Sequence, residues 1–288
     1  MKIGMVGLGR MGGNMATRLR KAGHEVVGYA RSIQSEVDSL EELVAALQPP
    51  RAVWTMIPAG DATEQTVARL GELCARGDVV VDGGNSNFHD SIRRGQNLAE
   101  RGIGFVDAGV SGGVWGLENG YCLMVGGAPA DIERLRPVFD ALAPPGGFAH
   151  VGASGAGHFT KMVHNGIEYG LMESYAEGYE LLRACELGID VPAALAAWRY
   201  GSVVRSWLLE LLVGALAEDP ALAGIRGYAD DSGEGRWTVE ESVRLGVPAP
   251  AISAALFARF ASRQDDSDRM KVIAALRKAF GGHAVHNE

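Results

Sequence analysis

The stretch KIGMVGLGRMG, residues 2–12, decides the fold of this chain. Residues 2–7 predict a short buried strand, residues 14–22 predict a helix, and residues 24–29 predict a second strand. Between the first strand and the helix lies a G-x-G-x-x-G sequence, formed by Gly7, Leu8, Gly9, Arg10, Met11 and Gly12. Glycines at such a position let the backbone turn tightly and approach a pyrophosphate at the helix N-terminus. We therefore expect these residues to bind a dinucleotide, and a glycine turn without a ligand is the alternative.

The end of the second predicted strand bears on the choice of cofactor. Proteins that bind NAD usually place an acidic residue there to hold the ribose 2′-hydroxyl. This chain has Ala30, Arg31 and Ser32 instead. A guanidinium beside a hydroxyl suits a 2′-phosphate, although a solvated surface arginine is the plainer explanation. The sequence therefore favours NADP, with use of NAD left open.

Strands and helices continue to alternate through the first half of the chain. The predicted elements are helix 36–47, strand 52–57, helix 62–73, strand 78–81, helix 90–101, strand 104–106, loop 107–113, strand 121–126 and helix 129–142. This alternation predicts an α/β fold with a Rossmann-like, doubly wound sheet. The loops at Pro58, Asn85 and Ser111 would share the carboxyl edge of that sheet with the glycine turn, where ligands bind.

After residue 152 the strands disappear, and the chain is predicted to be helical over 156–187, 192–217, 238–245 and 249–279. We predict an NAD(P)-binding domain over 1–154 and an all-α domain with a C-terminal tail over 155–288. The net charge of −8, without a run of basic residues, argues against a nucleic-acid partner. Neither a membrane span nor a signal peptide is expected. The three scattered cysteines fit a reducing cytoplasm and predict no metal site.

A polar stripe marks the helix predicted from residue 156 onward. Lys161, His164, Asn165 and Glu168 stand at i, i+3, i+4 and i+7, so their side chains share one helical face. The remaining positions are largely apolar, and buried ionisable groups are costly unless they are paired or contact a ligand. A salt-bridged helix face is the simpler alternative, but four such residues together favour a catalytic site.

At this point the sequence resembles the decarboxylating 6-phosphogluconate dehydrogenases, within the β-hydroxyacid dehydrogenases. The resemblance extends through nearly the whole chain, and the length is that of the family's short form. It rests on the motifs GLGRMG (7–12), DGGNS (82–86), SGGVWGLENG (111–120), GHFTKMVHNGIEYG (157–170) and GRWT (235–238). The resemblance implies oxidation of 6-phosphogluconate at C3 with loss of carbon dioxide, in the pentose phosphate pathway.

The resemblance also implies roles for individual residues. Lys161 would be the general base and Glu168 the acid that protonates the enediol. His164, Asn165 and Asn85 would hydrogen-bond the substrate, and Ser111, Gly112 and Gly113 would hold its carboxylate side. Tyr169 and Arg205 resemble phosphate contacts. Pro58 and Asn85 would also line the cofactor site. The tail would enter a partner's active site in a homodimer or homotetramer, so that Arg277 and His283 act across the interface.

The sequence departs from the family pattern at the phosphate site. Longer members carry a lysine and a threonine before the Gly-x-Trp-Thr segment, where this chain has Asp231, Ser232 and Glu234. Ala30 likewise differs from the acid expected of an NAD-preferring short form. A dehydrogenase of a non-phosphorylated β-hydroxy acid is therefore one alternative hypothesis. A non-catalytic dinucleotide sensor is another, and the base and acid predicted on one helix argue against it.

Overall fold

The computed structural model describes residues 1–281 and 284–286. Its strands are β1 Lys2–Val6, β2 Glu25–Tyr29, β3 Ala52–Thr55, β4 Val79–Asp82, β5 Gly104–Ser111, β6 Cys122–Gly127 and β7 Phe148–Gly152. Its helices are α1 Arg10–Lys21, α2 Leu40–Ala45, α3 Asp61–Leu73, α4 Phe88–Ala99, α5 Gly116–Asn119, α6 Pro129–Leu142, α7 Ala156–Ala184, α8 Val191–Trp198, α9 Trp207–Glu218, α10 Glu234–Leu245, α11 Pro250–Ala261 and α12 Asp268–Gly281. The chain divides into two compact units, Met1–Asn165 and Gly166–Glu288.

The first unit contains a seven-stranded sheet in the order β2-β1-β3-β4-β5-β6-β7. Strands β1 to β5 are mutually parallel, whereas β6 pairs with β5 in the antiparallel direction and β7 runs parallel to β6. The reversed order of β2, β1 and β3 places the first βα turn at a topological switch point, where ligands bind in open α/β sheets.

Alternation along the strands explains why helices cover both faces of this sheet. Ile3, Trp54 and Val81 point into one apolar cluster, whereas Val53 and Val80 point into the other. Successive side chains of a strand point to opposite faces, so strands that are apolar at every position must be covered on both sides. The predicted Rossmann-like doubly wound sheet is confirmed.

Within its described residues, the regular secondary structure of the second unit consists of helices joined by loops. One apolar cluster gathers around Leu195, Leu209 and Leu216 of α8 and α9, and another packs Tyr169 against Ala255 and Leu256 of α11. The predicted all-α second half of the chain is therefore confirmed. Within residues 1–281 and 284–286, no helix combines the length and the apolar character that crossing a membrane requires.

Several predicted elements differ from the structure. The expected loop 107–113 is wrong over its first five residues, because β5 continues to Ser111 and pairs with β6 from Val106 onward. Strand β7 was not predicted. The predicted helix 36–47 is reduced to α2, which begins after the N-cap Ser39. The predicted helices 192–217 and 249–279 are each divided in two.

Candidate functional site

The glycine turn between β1 and α1 leaves an open cradle. Gly9 is the N-cap residue of α1, no side chain caps that helix, and its first turn contains no acidic residue. A Cβ added to Gly9 would meet no heavy atom within 4 Å, whereas one added to Gly12 would lie 1.9 Å from the Gly7 carbonyl oxygen. Gly12 is thus required for packing, and Gly9 faces free space. An uncapped helix N-terminus beside such space fits a pyrophosphate.

A cavity of about 530 Å³ lies at the end of β2. The lining residues are Tyr29, Ala30, Arg31, Ile33, Gln34, Ser35 and Asp38. Arg31 is exposed, and among the residues that the structure describes its guanidinium has no hydrogen-bond or ion-pair partner. The predicted cofactor residue Ser32 is also exposed but does not line the cavity. Next to β3, the Pro58 carbonyl accepts a hydrogen bond from Thr63 Oγ1 at 2.8 Å, which fixes the start of α3.

Asn85 connects the loop after β4 to the end of β5. Its side-chain nitrogen donates to the Val110 carbonyl at 3.1 Å, and its side-chain oxygen accepts from the Val110 amide at 2.9 Å. These opposite main-chain partners determine the orientation of the amide. Asn85 has a φ of 52°, a left-handed conformation that asparagine adopts more readily than most residues. The next residue along β5 is Ser111, so Asn85 holds the strand end that carries it.

A buried ion pair supports the loop that presents Asn85. Asp82 accepts hydrogen bonds from the Gly84 amide at 3.0 Å and from Ser86 Oγ at 2.8 Å. Arg94 of α4 donates to the same carboxylate at 3.0 Å, and the two side chains are 2% and 0% exposed. Sequence analysis missed this pair, although Arg94 shares the buried face of α4 with Ser91 and Leu98, which is an unusual position for an arginine.

Main-chain contacts hold the start of α7 against β5. The Asp107 carboxylate, which is fully buried, accepts hydrogen bonds from the Gly155 and His158 amides at 2.6 and 2.8 Å. Burial raises the pKa of Asp107, and the nearby His158 and these amides oppose that shift. A Cβ on Gly109 would lie 2.5 Å from Lys161 Cβ, and one on Gly157 would lie 2.3 Å from the Asp107 carbonyl oxygen. Only glycine permits this separation between helix and strand.

Four of the predicted site residues form one hydrogen-bonded group within the first unit. Lys161 is 5% exposed, and its Nζ donates to Asn165 Oδ1. His164 Nδ1 lies 2.9 Å from the same oxygen, and His164 Nε2 lies 3.5 Å from Ser111 Oγ. The group therefore joins α7 to the carboxyl end of β5, beside the Asn85 contact. Gly112 and Gly113, with φ of 126° and 53°, continue the chain into a short 3-10 turn, Gly113–Trp115.

Within the second unit, Tyr169 is the centre of a separate polar group. Its hydroxyl accepts from the Ser232 amide at 3.0 Å, and Ser232 Oγ donates to Glu234 Oε2 at 3.1 Å. The Arg259 guanidinium carbon lies 3.5 Å from the centre of the Tyr169 ring. The GRWT motif packs on the same ring, because a Cβ on Gly235 would lie 2.5 Å from Tyr169 Cε2. Glu168, the residue before Tyr169 on α7, is half-buried.

Asp231 binds the neighbouring arginines. Its carboxylate accepts from Arg236 Nε at 2.6 Å and from Arg263 at 2.9 Å. The Arg236 hydrogen bonds above all lower the pKa of Asp231 to about 2. The single negative charge of Asp231 is therefore shared by two arginines of this chain.

The remaining predicted residues do not join either group. Arg205 and Arg277 are exposed, and within the described part of the chain neither guanidinium has a hydrogen-bond or ion-pair partner. His283 lies outside the described residues. The roles predicted for these three residues stay predictions.

Two family models together cover nearly the whole chain. The model described as the NAD binding domain of 6-phosphogluconate dehydrogenase matches residues 2–152, and the C-terminal domain model of that enzyme matches residues 157–287. The chain belongs to the 6-phosphogluconate dehydrogenase family. Three predictions from the sequence are thereby confirmed: that the chain belongs to this family, that it is an oxidoreductase, and that it contains a domain that binds a nicotinamide cofactor.

Individual relatives of the 6-phosphogluconate dehydrogenase family agree with this assignment. A Haloferax volcanii protein named as the NAD(+)-dependent, decarboxylating enzyme is 41% identical over 99% of this chain and 98% of its own length. A Bacillus subtilis protein, provisionally named as the enzyme, is 40% identical over 100% of both chains. The solved Plasmodium falciparum enzyme, described with NADP+ and with 6-phosphogluconate, has a TM-score of 0.84 at 27% identity. The match covers 100% of this chain and 66% of the Plasmodium chain, so this chain spans about two thirds of that longer protein.

Proposed function

We propose that the chain oxidises 6-phospho-D-gluconate and decarboxylates it to D-ribulose 5-phosphate and carbon dioxide, with reduction of NADP or NAD. The observation that carries the proposal is the group formed by Lys161, Asn165, His164 and Ser111 at the carboxyl end of β5. Burial of an ammonium is costly, so a buried lysine grouped with a histidine, an amide and a hydroxyl at the ligand edge of the sheet favours catalysis over a binding module. The name and the full-length match of the Haloferax relative also support the proposal.

Lys161 is the general base of the proposed reaction. Its amine takes the proton of the C3 hydroxyl. A nicotinamide cofactor, held by the glycine turn between β1 and α1, would supply the acceptor for the hydride that leaves the same carbon. Because Asn165 Oδ1 accepts one N–H of Lys161, the nitrogen lone pair of the neutral amine points away from Asn165. The contact between Asn165 and His164 fixes the amide that orients the base.

Loss of carbon dioxide follows from the product of oxidation. A β-keto acid breaks its C1–C2 bond, the electron pair moves onto the C3 oxygen, and the resulting enediolate needs nearby hydrogen-bond donors. The protonated Lys161, His164 and Asn165 would supply them. Glu168, two helical turns after Lys161 on α7, then protonates the enediol carbon. The base and the acid are thereby provided by one helix.

Different residues are proposed to bind the carboxylate end and the phosphate end of the substrate. Ser111 and the amides of Gly112 and Gly113 hold the carboxylate side. Asn85 also contributes, because each atom of its amide has a second hydrogen-bonding position besides the one used by Val110. Tyr169 and Arg205 hold the phosphate.

A homodimer completes the proposed site, either alone or within a homotetramer. Arg277 and His283 of one subunit would reach the phosphate in its partner. Co-expression of Lys161→Met with Arg277→Ala tests this arrangement, because only a mixed dimer pairs an intact Lys161 with an intact Arg277 in one site. Restoration of about a quarter of the activity is expected from random pairing of subunits. No restoration, or a fully active Arg277→Ala enzyme, would exclude the contribution of the partner.

A non-phosphorylated β-hydroxy acid is the second candidate substrate. One observation favours it: the segment after Ala229 presents the acids Asp231 and Glu234 beside Tyr169 rather than a lysine. Arg205→Ala separates the two substrates. If 6-phosphogluconate is the substrate, its KM rises by about tenfold or more, as expected for the loss of a charged hydrogen bond. An unchanged KM favours the non-phosphorylated acid.

Absorbance at 340 nm with 6-phosphogluconate, recorded separately with NADP and NAD, tests the proposed reaction. Reduction of either cofactor with one equivalent of carbon dioxide released supports it, and this is the reaction expected of an enzyme of the pentose phosphate pathway. Reduction without carbon dioxide would indicate a simple dehydrogenase. No reduction with either cofactor, although the cofactors bind, would revive the alternative of a dinucleotide sensor.

A further inference from the structure

The loop after β2 contains two acids, and the structure gives them different environments. Glu36 covers the free edge of β2, which is an outer strand of the sheet. Its Oε2 accepts from the Gly28 amide at 2.9 Å, its Oε1 accepts from Arg20 at 2.6 Å, and its own amide donates to the Gly28 carbonyl at 3.2 Å. Glu36 therefore holds the sheet edge, and it is not among the residues that line the cavity.

The carboxylate of Asp38, unlike that of Glu36, does not contact the sheet edge. It is exposed and lines the cavity at the end of β2 together with Arg31. Arg31 and Asp38 do not form an ion pair with each other, and within residues 1–281 and 284–286 neither side chain has a hydrogen-bond partner. The lining of the cavity thus contains one exposed cation and one exposed anion.

The backbone of Asp38 is held in place. Its amide donates to Glu42 Oε2 at 2.9 Å, while Ser39 Oγ accepts from the Glu42 amide at 3.1 Å, so the start of α2 fixes the residue before it. Ser35 secures the middle of the loop, because its Oγ donates to the Val37 carbonyl at 2.9 Å. The carboxylate is therefore presented from a fixed loop.

We propose that Asp38 accepts a hydrogen bond from the 2′-hydroxyl of an adenosine ribose in this cavity and so allows the protein to use NAD as well as NADP. This inference rests on the proposed nicotinamide-dependent function. An acid that holds the ribose hydroxyl usually stands at the tip of the second strand, where this chain has Ala30. Asp38 supplies the carboxylate from the far end of the loop, and Arg31 supplies the cation for a 2′-phosphate.

The two charges act in opposite directions on the two cofactors. A 2′-phosphate gains attraction from Arg31 but is repelled by Asp38, because like charges within a few ångströms disfavour each other. A 2′-hydroxyl gains a charge-assisted hydrogen bond from Asp38 and little from Arg31. Removal of Asp38 should therefore shift the cofactor preference toward NADP, and removal of Arg31 should shift it toward NAD.

Isothermal titration with the fragments 5′-AMP and 2′,5′-ADP tests the proposal without turnover. Asp38→Ala, which removes both charge and acceptor, should weaken 5′-AMP binding by about tenfold. Asp38→Asn, which removes the charge alone, should strengthen 2′,5′-ADP binding several-fold. Arg31→Met should weaken 2′,5′-ADP by about tenfold and leave 5′-AMP nearly unchanged. Asp140→Asn, on the exposed side of α6, controls for net charge.

The outcomes distinguish this proposal from the proposed reaction. If both fragments bind but Asp38→Ala leaves both affinities unchanged, or changes them equally, Asp38 does not contact the ribose and only this inference fails. If neither fragment binds to the unmodified protein, the proposed nucleotide site is contradicted, and so is the proposed reaction that depends on it. In turnover assays, the ratio of kcat/KM for NADP to that for NAD should rise by about tenfold in Asp38→Ala.

Discussion

The side-chain amide of Asn85 and the main chain of Val110 form two reciprocal hydrogen bonds, of 3.1 and 2.9 Å. They join the loop after β4 to the last residues of β5. Asn85→Ala removes both bonds and places alanine at a φ of 52°, so we expect a loss of about 1–3 kcal/mol in the free energy of unfolding. Asn85→Gly relieves the backbone strain alone and should recover only part of the loss. Urea denaturation measures both variants, and equal stability of glycine and wild type would contradict the role of the amide.

The second and third glycines of the G-x-G-x-x-G motif are expected to behave differently when each is replaced by alanine. Gly9→Ala places its methyl group in open space, so the melting temperature should be nearly unchanged while affinity for NADPH falls. Gly12→Ala directs its methyl group onto the Gly7 carbonyl and should destabilise the protein. Calorimetry and NADPH fluorescence separate the two effects. Loss of stability in Gly9→Ala would show that its position is not open.

Lys161→Met should abolish proton transfer while leaving the nucleotide cradle intact. General base catalysis typically contributes about 10²–10⁴-fold, so we expect kcat to fall by at least about a hundredfold with little change in NADPH affinity. Lys21→Met, on the exposed end of α1, provides a control for the lost charge. Turnover of Lys161→Met within tenfold of wild type would remove the base from the proposed mechanism.

The buried Arg94 and its exposed neighbour Arg93 form a matched pair on α4. Arg94→Met leaves the Asp82 carboxylate buried without its cation, which should cost about 3–5 kcal/mol. Arg93→Met removes ion pairs to Glu64 and Asp90 from a side chain that is 49% exposed, so it should cost about 1 kcal/mol or less. Chemical denaturation compares them. Similar losses of unfolding free energy in both variants would mean that the buried ion pair of Arg94 with Asp82 stabilises the protein no more than an exposed ion pair does.

Asp231 should make stability depend on acidity. Its pKa is lowered from 3.8 to about 2 in the folded state, so its stabilising contribution is complete well above pH 4 and is lost as the pH falls through about 2. This lowering of the pKa corresponds to a contribution of about 2 kcal/mol to the free energy of unfolding. Asp231→Asn should therefore be less stable than wild type at pH 7, and the difference should shrink between pH 4 and pH 2. Asp230→Asn, whose side chain is 76% exposed, is the control. A pH-independent difference would contradict the assignment.

The sequence predicts the parts of this molecule that depend on local patterns. The glycine turn follows from its place between a predicted strand and a predicted helix, and the structure has it at the start of α1. The stripe of Lys161, His164, Asn165 and Glu168 follows from helical spacing, and the structure has all four residues on α7. Contacts between distant segments could not be predicted in the same way. Residues 107–111 resemble a loop until β6 pairs with them, and nothing in the local sequence joins Asp107 to the start of α7. The different environments of Glu36 and Asp38 likewise depend on how the loop returns to β2.

The contact of Gly109 with the start of α7 has a consequence for how this protein can change. Because strand and helix touch through their backbones, no side chain separates them, and the height of Lys161 above β5 is set by the main chain. Substitutions of core side chains therefore cannot change the distance between Lys161 and β5 gradually. Selection for a new substrate can therefore alter the residues that face the ligand while the position of the amine stays constant. The proposed base is in this sense a fixed reference point around which specificity can evolve.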